Sequence, residues 1–131
     1  MLAYLINYYV FLRDIMTQIN EYLEKLKNTP ESMEFNELME LIDSNYIFTA
    51  TEFSNGDLVN QAEENQGSCK LFFFAKLHNL NQQQTLDCFG SYYRQDVLQN
   101  PDADNHQNIR NFMKYGWDGI KFSGNALSAI S

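Results

Sequence analysis

Gln66-Gly67-Ser68-Cys69 places a thiol at the opening of a run, Cys69 to about His78, that reads as helix. A cysteine in a first helical turn faces amide N–H groups without intrahelical partners and the positive end of the macrodipole. That setting lowers a thiol pKa and favours the nucleophilic thiolate. His106 follows downstream as a candidate base, with Asn108 or Asp104 to orient its ring. Cys69, His106 and Asn108 therefore form one candidate constellation, for hydrolysis or acyl transfer. The competing reading is a half-buried structural cysteine behind a Ser68 cap, the usual condition of a free thiol.

A second constellation is Tyr92, Tyr93, Arg94 and Asp96, with Arg110 and Asn111 further on. The chain has three arginines, and two of them lie in these blocks. Helices joined by a short Pro-containing loop pack as neighbours. Arg94 and Arg110 would then grip a carboxylate or phosphate bidentately, with Tyr92 and Asn111 beside it. The competing reading is internal pairing of Arg94 or Arg110 with Asp96, Asp57 or Asp87, since 17 acidic residues face 9 basic ones. A third set, Cys69, His78, Cys88 and His106, matches none of the close-pair spacings of zinc sites. No metal and no cofactor is expected. Asn55, Asn60, Asn65, Asn108 and Asn111 are expected to bond loop backbone rather than ligand.

Composition limits the partners. The 131 residues are 44% hydrophobic and 15% aromatic, enough for one domain with one core. A net charge of −8 argues against nucleic acid, whose binding needs a basic face, and against anionic membrane surfaces. No stretch reaches the ~20 apolar residues that span a bilayer. Cys69 and Cys88 make no disulfide framework and fit buried thiols in a reducing compartment.

The elements that would position these groups read mostly as helix. Leu2, Leu5, Tyr9, Leu12, Met16, Ile19, Leu23 and Leu26 follow one another at alternating gaps of three and four, a heptad seam that Thr29-Pro30 ends. Ile6, Val10, Phe11 and Ile15 widen the apolar face. A helix of about 27 residues runs ~40 Å, longer than a compact domain of this size needs. Two readings follow. Residues 2–26 make a helix–helix contact in a homodimer, or Met16 is the natural start and residues 1–15 are an apolar extension to a domain over 16–131. A second helix spans about Glu34 to Asn45. Tyr46 to Phe53 alternates like a strand, and Asn55-Gly56 turns the chain toward a short return at Leu58-Val59. Helix three, capped by Ser68, is apolar on most sides and should be central. Helix four starts at Asn81, with Gln84 completing a capping box, and runs to Asn100-Pro101. Asp104 caps helix five, which Gly116 ends. Trp117 closes the core, Ile120 to Phe122 is a short strand, and the tail frays. The expected fold is mainly α, a single compact domain of about five helices with a short β-hairpin or β-pair near 46–60 and 120–122.

Four blocks, Phe48–Asn60, Asn65–Lys70, Cys88–Leu98 and His106–Met113, resemble the HopJ-type family. Its members are small bacterial proteins named as candidate type III secretion effectors. The resemblance covers about Met16 to Leu127. Residues 1–15 are extra to it, and Ala50 stands where the family favours Pro. It implies a bacterial protein of the cytoplasm, or a secreted one if it is a true effector, acting through a protein partner. It carries over no catalytic residues. Gln66–Cys69 also resembles the nucleophile segment of papain-like enzymes, but Lys70 and Leu71 depart from that pattern.

Overall fold

The helix α3 (Gln66–Leu77) is the axis of the structure, a computed structural model that describes residues 2–130. Its sequence predicts a buried helix because it is apolar on most sides. Accordingly Cys69, Leu71, Phe72, Phe73, Phe74 and Ala75 are all buried. Around it pack α1 (Leu2–Asn28), α2 (Phe35–Asn45), α4 (Gln82–Asp87), a π-helical stretch Tyr92–Val97, and α5 (Gln107–Tyr115). Short 3-10 turns occupy Pro30–Ser32 and Gly116–Gly119. Trp117 closes one end of the core as expected. It packs edge-on against Phe72 and Phe112 and donates its indole N–H to the Leu80 carbonyl at 3.0 Å.

Among the described residues, five short strands form two antiparallel sheets. β2 (Phe53–Asn55) and β3 (Leu58–Asn60) make the expected hairpin, with Phe53 opposite Asn60, and β4 (Ile120–Phe122) pairs on the other edge of β2. β1 (Tyr46–Phe48) is separate from β2 and pairs instead with β5 (Leu127–Ala129), Phe48 opposite Leu127. The tail is therefore not frayed. Ala126 and Leu127 are buried; the Ala126 carbonyl accepts from the Thr49 N–H at 2.8 Å, and Leu127 pairs in the ladder with β1.

Three helix boundaries differ from the sequence reading, each for a local reason. α3 starts three residues before Cys69, with Asn65 rather than Ser68 as its N-cap. Asn65 adopts the left-handed conformation (φ 51°), which Asn tolerates, and its carbonyl takes the Cys69 N–H at 3.0 Å. α5 starts from His106, also left-handed (φ 54°), rather than from an Asp104 cap. Helix four keeps its capping box, Asn81 with Gln84, but ends at Asp87. Gly90 stops it with φ +61°, backed so closely on Met33-Glu34 that a Cβ would lie 2.7 Å from Glu34 Cα. The chain then resumes in the wider π winding, marked by the Leu98 N–H bonding the Tyr93 carbonyl five residues back.

α1 belongs to the core only in its second half. Ile19, Tyr22 and Leu26 are buried, while residues 2–11 are exposed. No helix among the described residues is long and apolar enough to cross a membrane.

Candidate functional site: a cleft between two helix N-termini

The two left-handed caps have a common consequence. Asn65 and His106 turn the first turns of α3 and α5 toward one cleft of about 350 Å³. The N–H groups of a first turn have no intrahelical acceptor. In α3 the first of them to bond is that of Cys69, which leaves the N–H groups of Gln66, Gly67 and Ser68 ahead of it, and of these residues Ser68 lines the cleft. In α5 the N–H groups of Ile109 and Arg110 both use the His106 carbonyl, with Gln107 and Asn108 ahead of them.

One wall is aromatic. Phe35 and Phe89 stack with centroids 6.0 Å apart and planes 3° apart. Tyr92 meets Phe35 edge-on at 5.6 Å and lies against the His106 ring at 5.3 Å. Gly67 allows this wall, since a Cβ there would sit 2.7 Å from Phe35 Cζ. The π winding places Tyr92 on the cleft, a use typical of such irregular turns. The opposite side is polar: Asn65, Ser68, His106 and Asn108.

Behind the cleft lies a buried asparagine network. Asn60 Oδ1 accepts from Asn65 Nδ2 at 2.7 Å and Asn108 Nδ2 at 3.0 Å, while Asn60 Nδ2 donates to Asn108 Oδ1 at 3.1 Å. Asn55 Nδ2 donates to the Asn108 carbonyl at 2.8 Å and to its Oδ1 at 3.1 Å. Asn111 donates to the Asn55 carbonyl and to Asp57 Oδ1. The expected bonds to loop backbone are not what these amides make: of these bonds two go to carbonyls of regular elements, Asn108 in α5 and Asn55 in β2, and the rest join side chain to side chain. The result ties the β2–β3 hairpin to the first turn of α5.

The residues singled out from sequence do not converge in the two constellations expected, because Cys69, Arg94 and Arg110 stand apart from the cleft. Cys69 is buried, and its thiol donates to the Thr51 carbonyl at 3.5 Å. Burial pushes that thiol above its ordinary value, with the Thr51 bond opposing only in part. His106 Nε2 lies 3.0 Å from Asp96 Oδ2 rather than bonding Asn108. Cys88 is also buried, and desolvation pushes its thiol up to about 12. Arg94 bonds the Met33 carbonyl at 2.8 Å and Glu34 Oε1 at 2.7 Å, so its ion pair is with Glu34, not with Asp96, Asp57 or Asp87. Two hydrogen bonds from Ser91, then Arg94, hold the Glu34 carboxyl below its usual range. Arg110 instead bonds Asn105 through Nε and Nη2, and the Pro101 carbonyl through Nη1. It borders a different cleft, with Leu98 and Met113. Of the sequence candidates, Tyr92, His106 and Asn108 meet at the first cleft. Phe35, Asn65, Ser68 and Phe89 join them there unforeseen. Of these, Asn65 is the one whose residue type suits its place, since Asn tolerates the left-handed conformation it adopts.

Comparison with known proteins bears on the same residues. A family model described as HopJ type III effector protein matches residues 19–127. A solved crystal structure of "unknown function protein VPA0580" is similar at 49% identity and a TM-score of 0.83, over 85% of this chain and 92% of that one. No curated protein matches. The cleft lies wholly within the matched residues, and the first half of α1 lies outside them.

Proposed function

Since the chain belongs to the HopJ type III effector protein family, we infer that it works by recognition rather than covalent chemistry, taking a carbonyl-bearing segment of a protein partner into the cleft between α3 and α5. One observation carries the reading: two helix first turns open on a single aromatic-walled cleft. Their N–H groups call for an acceptor, and each helix end carries roughly half a positive charge. The wall of Phe35, Phe89 and Tyr92 suits the apolar stem that precedes such an acceptor. A neutral carbonyl or side-chain amide fits better than an anion, because the chain carries −8 and Asp96 stands behind His106. The groups that would make covalent bonds are engaged elsewhere: the Cys69 thiol is buried with a raised pKa.

Two N–H bonds and one covered ring are worth roughly 3–5 kcal/mol, which is millimolar affinity for an isolated probe. Titration of the isotope-labelled chain with N-acetylglutamine methylamide tests this. The backbone amides of Gly67, Ser68, Gln107 and Asn108 should move together. Ser68→Trp, which fills the cleft, should abolish the response, and Cys69→Ala should leave it intact. Shifts confined to other residues, or loss of the response in Cys69→Ala with the fold retained, would overturn the reading.

A further inference from the structure

The first half of α1 presents a surface that the domain does not use. Leu2, Tyr4, Leu5, Tyr9, Phe11 and Met16 are among the large apolar residues exposed there. These residues stand on every side of the helix; the seam members Leu2, Leu5, Tyr9 and Met16 alone show the area of about two and a half whole residues, on the order of 400 Å². The largest apolar patch of a typical monomer is about 300–600 Å². A standard interface buries ~800 Å² on each partner. The exposed seam thus supplies about half of one side of such an interface, and the flanking Ile6, also exposed, adds to it.

We propose that its occupant is a second copy of this chain, packed helix to helix over residues 2–16. The spacing identifies a helix as the partner. Leu2, Leu5, Tyr9, Leu12 and Met16 continue the seam whose later members, Ile19, Leu23 and Leu26, pack on the core. A 3–4 seam of this kind is matched by another seam. Charge permits a like molecule. Leu2 to Leu12 contains no charged residue and Arg13 and Asp14 cancel, so residues 2–16 carry no net charge and the −8 of each chain arises elsewhere. The same facts disfavour a bilayer. Twelve residues reach only ~18 Å of a core about 30 Å thick. No basic residue precedes Arg13 to hold an anionic surface. The surface is distinct from the cleft, so dimerisation and cleft binding can be measured separately.

The test is the mass of the full chain in solution by light scattering at about 20 μM, where a standard-size interface of micromolar affinity or better is populated. The expected value is about twice the 15.3 kDa of one chain. Leu5→Glu with Tyr9→Glu, both on the seam and both exposed, should return the mass to one chain with an unchanged circular dichroism spectrum. Asn7→Glu, which adds charge to the same segment off the seam, should remain a dimer. A monomeric wild type, a dimeric double variant, a polydisperse aggregate, or a monomer that sediments with phosphatidylcholine vesicles would each overturn the proposal. So would an Asn7→Glu chain that dissociates as fully as the double variant.

Discussion

Asn60 is the side chain on which the buried network turns, and Asn60→Leu tests whether that network supports the cleft. Asn60 is fully buried and takes part in four side-chain hydrogen bonds, with Asn65, Phe53 O and both polar atoms of the Asn108 amide. Leucine keeps the volume and removes all four. Asn65 is exposed and water can take its freed N–H. Asn108 is buried, so its Nδ2 is left without an acceptor, while its Oδ1 keeps the bond from Asn55. One orphaned buried donor costs about 1–3 kcal/mol, and each remaining bond contributes ~0.5–1.5 net. Leucine offsets about 1 kcal/mol of this through its apolar surface. The expected loss is therefore about 3–4 kcal/mol. For a chain of this length that lowers Tm by roughly 10–15 °C. Thermal and urea unfolding followed by circular dichroism measure it. Asn108→Leu and the double variant complete a cycle. Replacing both partners removes the orphan, so the double variant should be more stable than the sum of the singles by at least about 1 kcal/mol. A single-variant loss under about 1 kcal/mol, or strict additivity, would refute the claim that these amides act as one unit.

Two further outcomes follow from local geometry. Gly90→Ala should cost about 3 kcal/mol or more, from the left-handed backbone and from a Cβ set 2.7 Å from Glu34 Cα and 2.8 Å from the Met33 carbonyl, neither of which is a flexible side-chain end. Denaturant midpoints check it, and a loss below about 1 kcal/mol would show that the break after α4 is not held there. His78 is half-buried, its Nε2 2.9 Å from the Tyr46 hydroxyl, and desolvation lowers its pKa from the ordinary 6.5. Above that value the ring is neutral in both folded and unfolded chains. As pH falls through 6.5 the unfolded chain takes the proton first, so stability drops, and the drop ends once the folded ring is also protonated. Urea midpoints at about pH 7.5, 6.0 and 5.0 should therefore fall more steeply for the wild type than for His78→Gln, and parallel curves would contradict the assignment.

The sequence made legible those features whose partners are close along the chain. The capping box needs only Asn81 and Gln84, three residues apart, and it is present. The turn at Gly56 needs only its own φ, and the hairpin is present. The apolar circumference of α3 is likewise a local property. What stayed hidden depends on residues far apart. Asn60 and Asn108 are separated by 48 positions, and Arg94 and its Glu34 partner by 60. Nothing in Cys88-Phe89-Gly90 announces that Met33-Glu34 will close on Gly90 and end the helix. The Ser68 cap was a sound local inference defeated by a residue conformation: left-handed Asn65 starts α3 one turn early, and Cys69 is carried from the helix mouth into the core. The shift moves the chemistry from the thiol to the amide groups that precede it.

The same contrast gives the N-terminal helix its meaning. The family match begins at residue 19, and Ile19 is the first residue of α1 that the core buries. Constraint from this domain therefore accounts for the apolar residues from Ile19 onward. It does not account for Leu2, Leu5, Tyr9 and Met16, which with the half-buried Leu12 hold the same 3–4 spacing and are exposed. A hydrophobic seam that keeps its phase across that boundary extends one helix face into solvent, where leaving it uncovered forfeits roughly 25 cal/mol for each Å². Over the order of 400 Å² that the seam exposes on each chain this comes to about 10 kcal/mol per chain before association entropy is subtracted. For this reason the oligomeric state, rather than any reaction of Cys69, is the property of the chain in which residues 2–16 should be most strongly expressed.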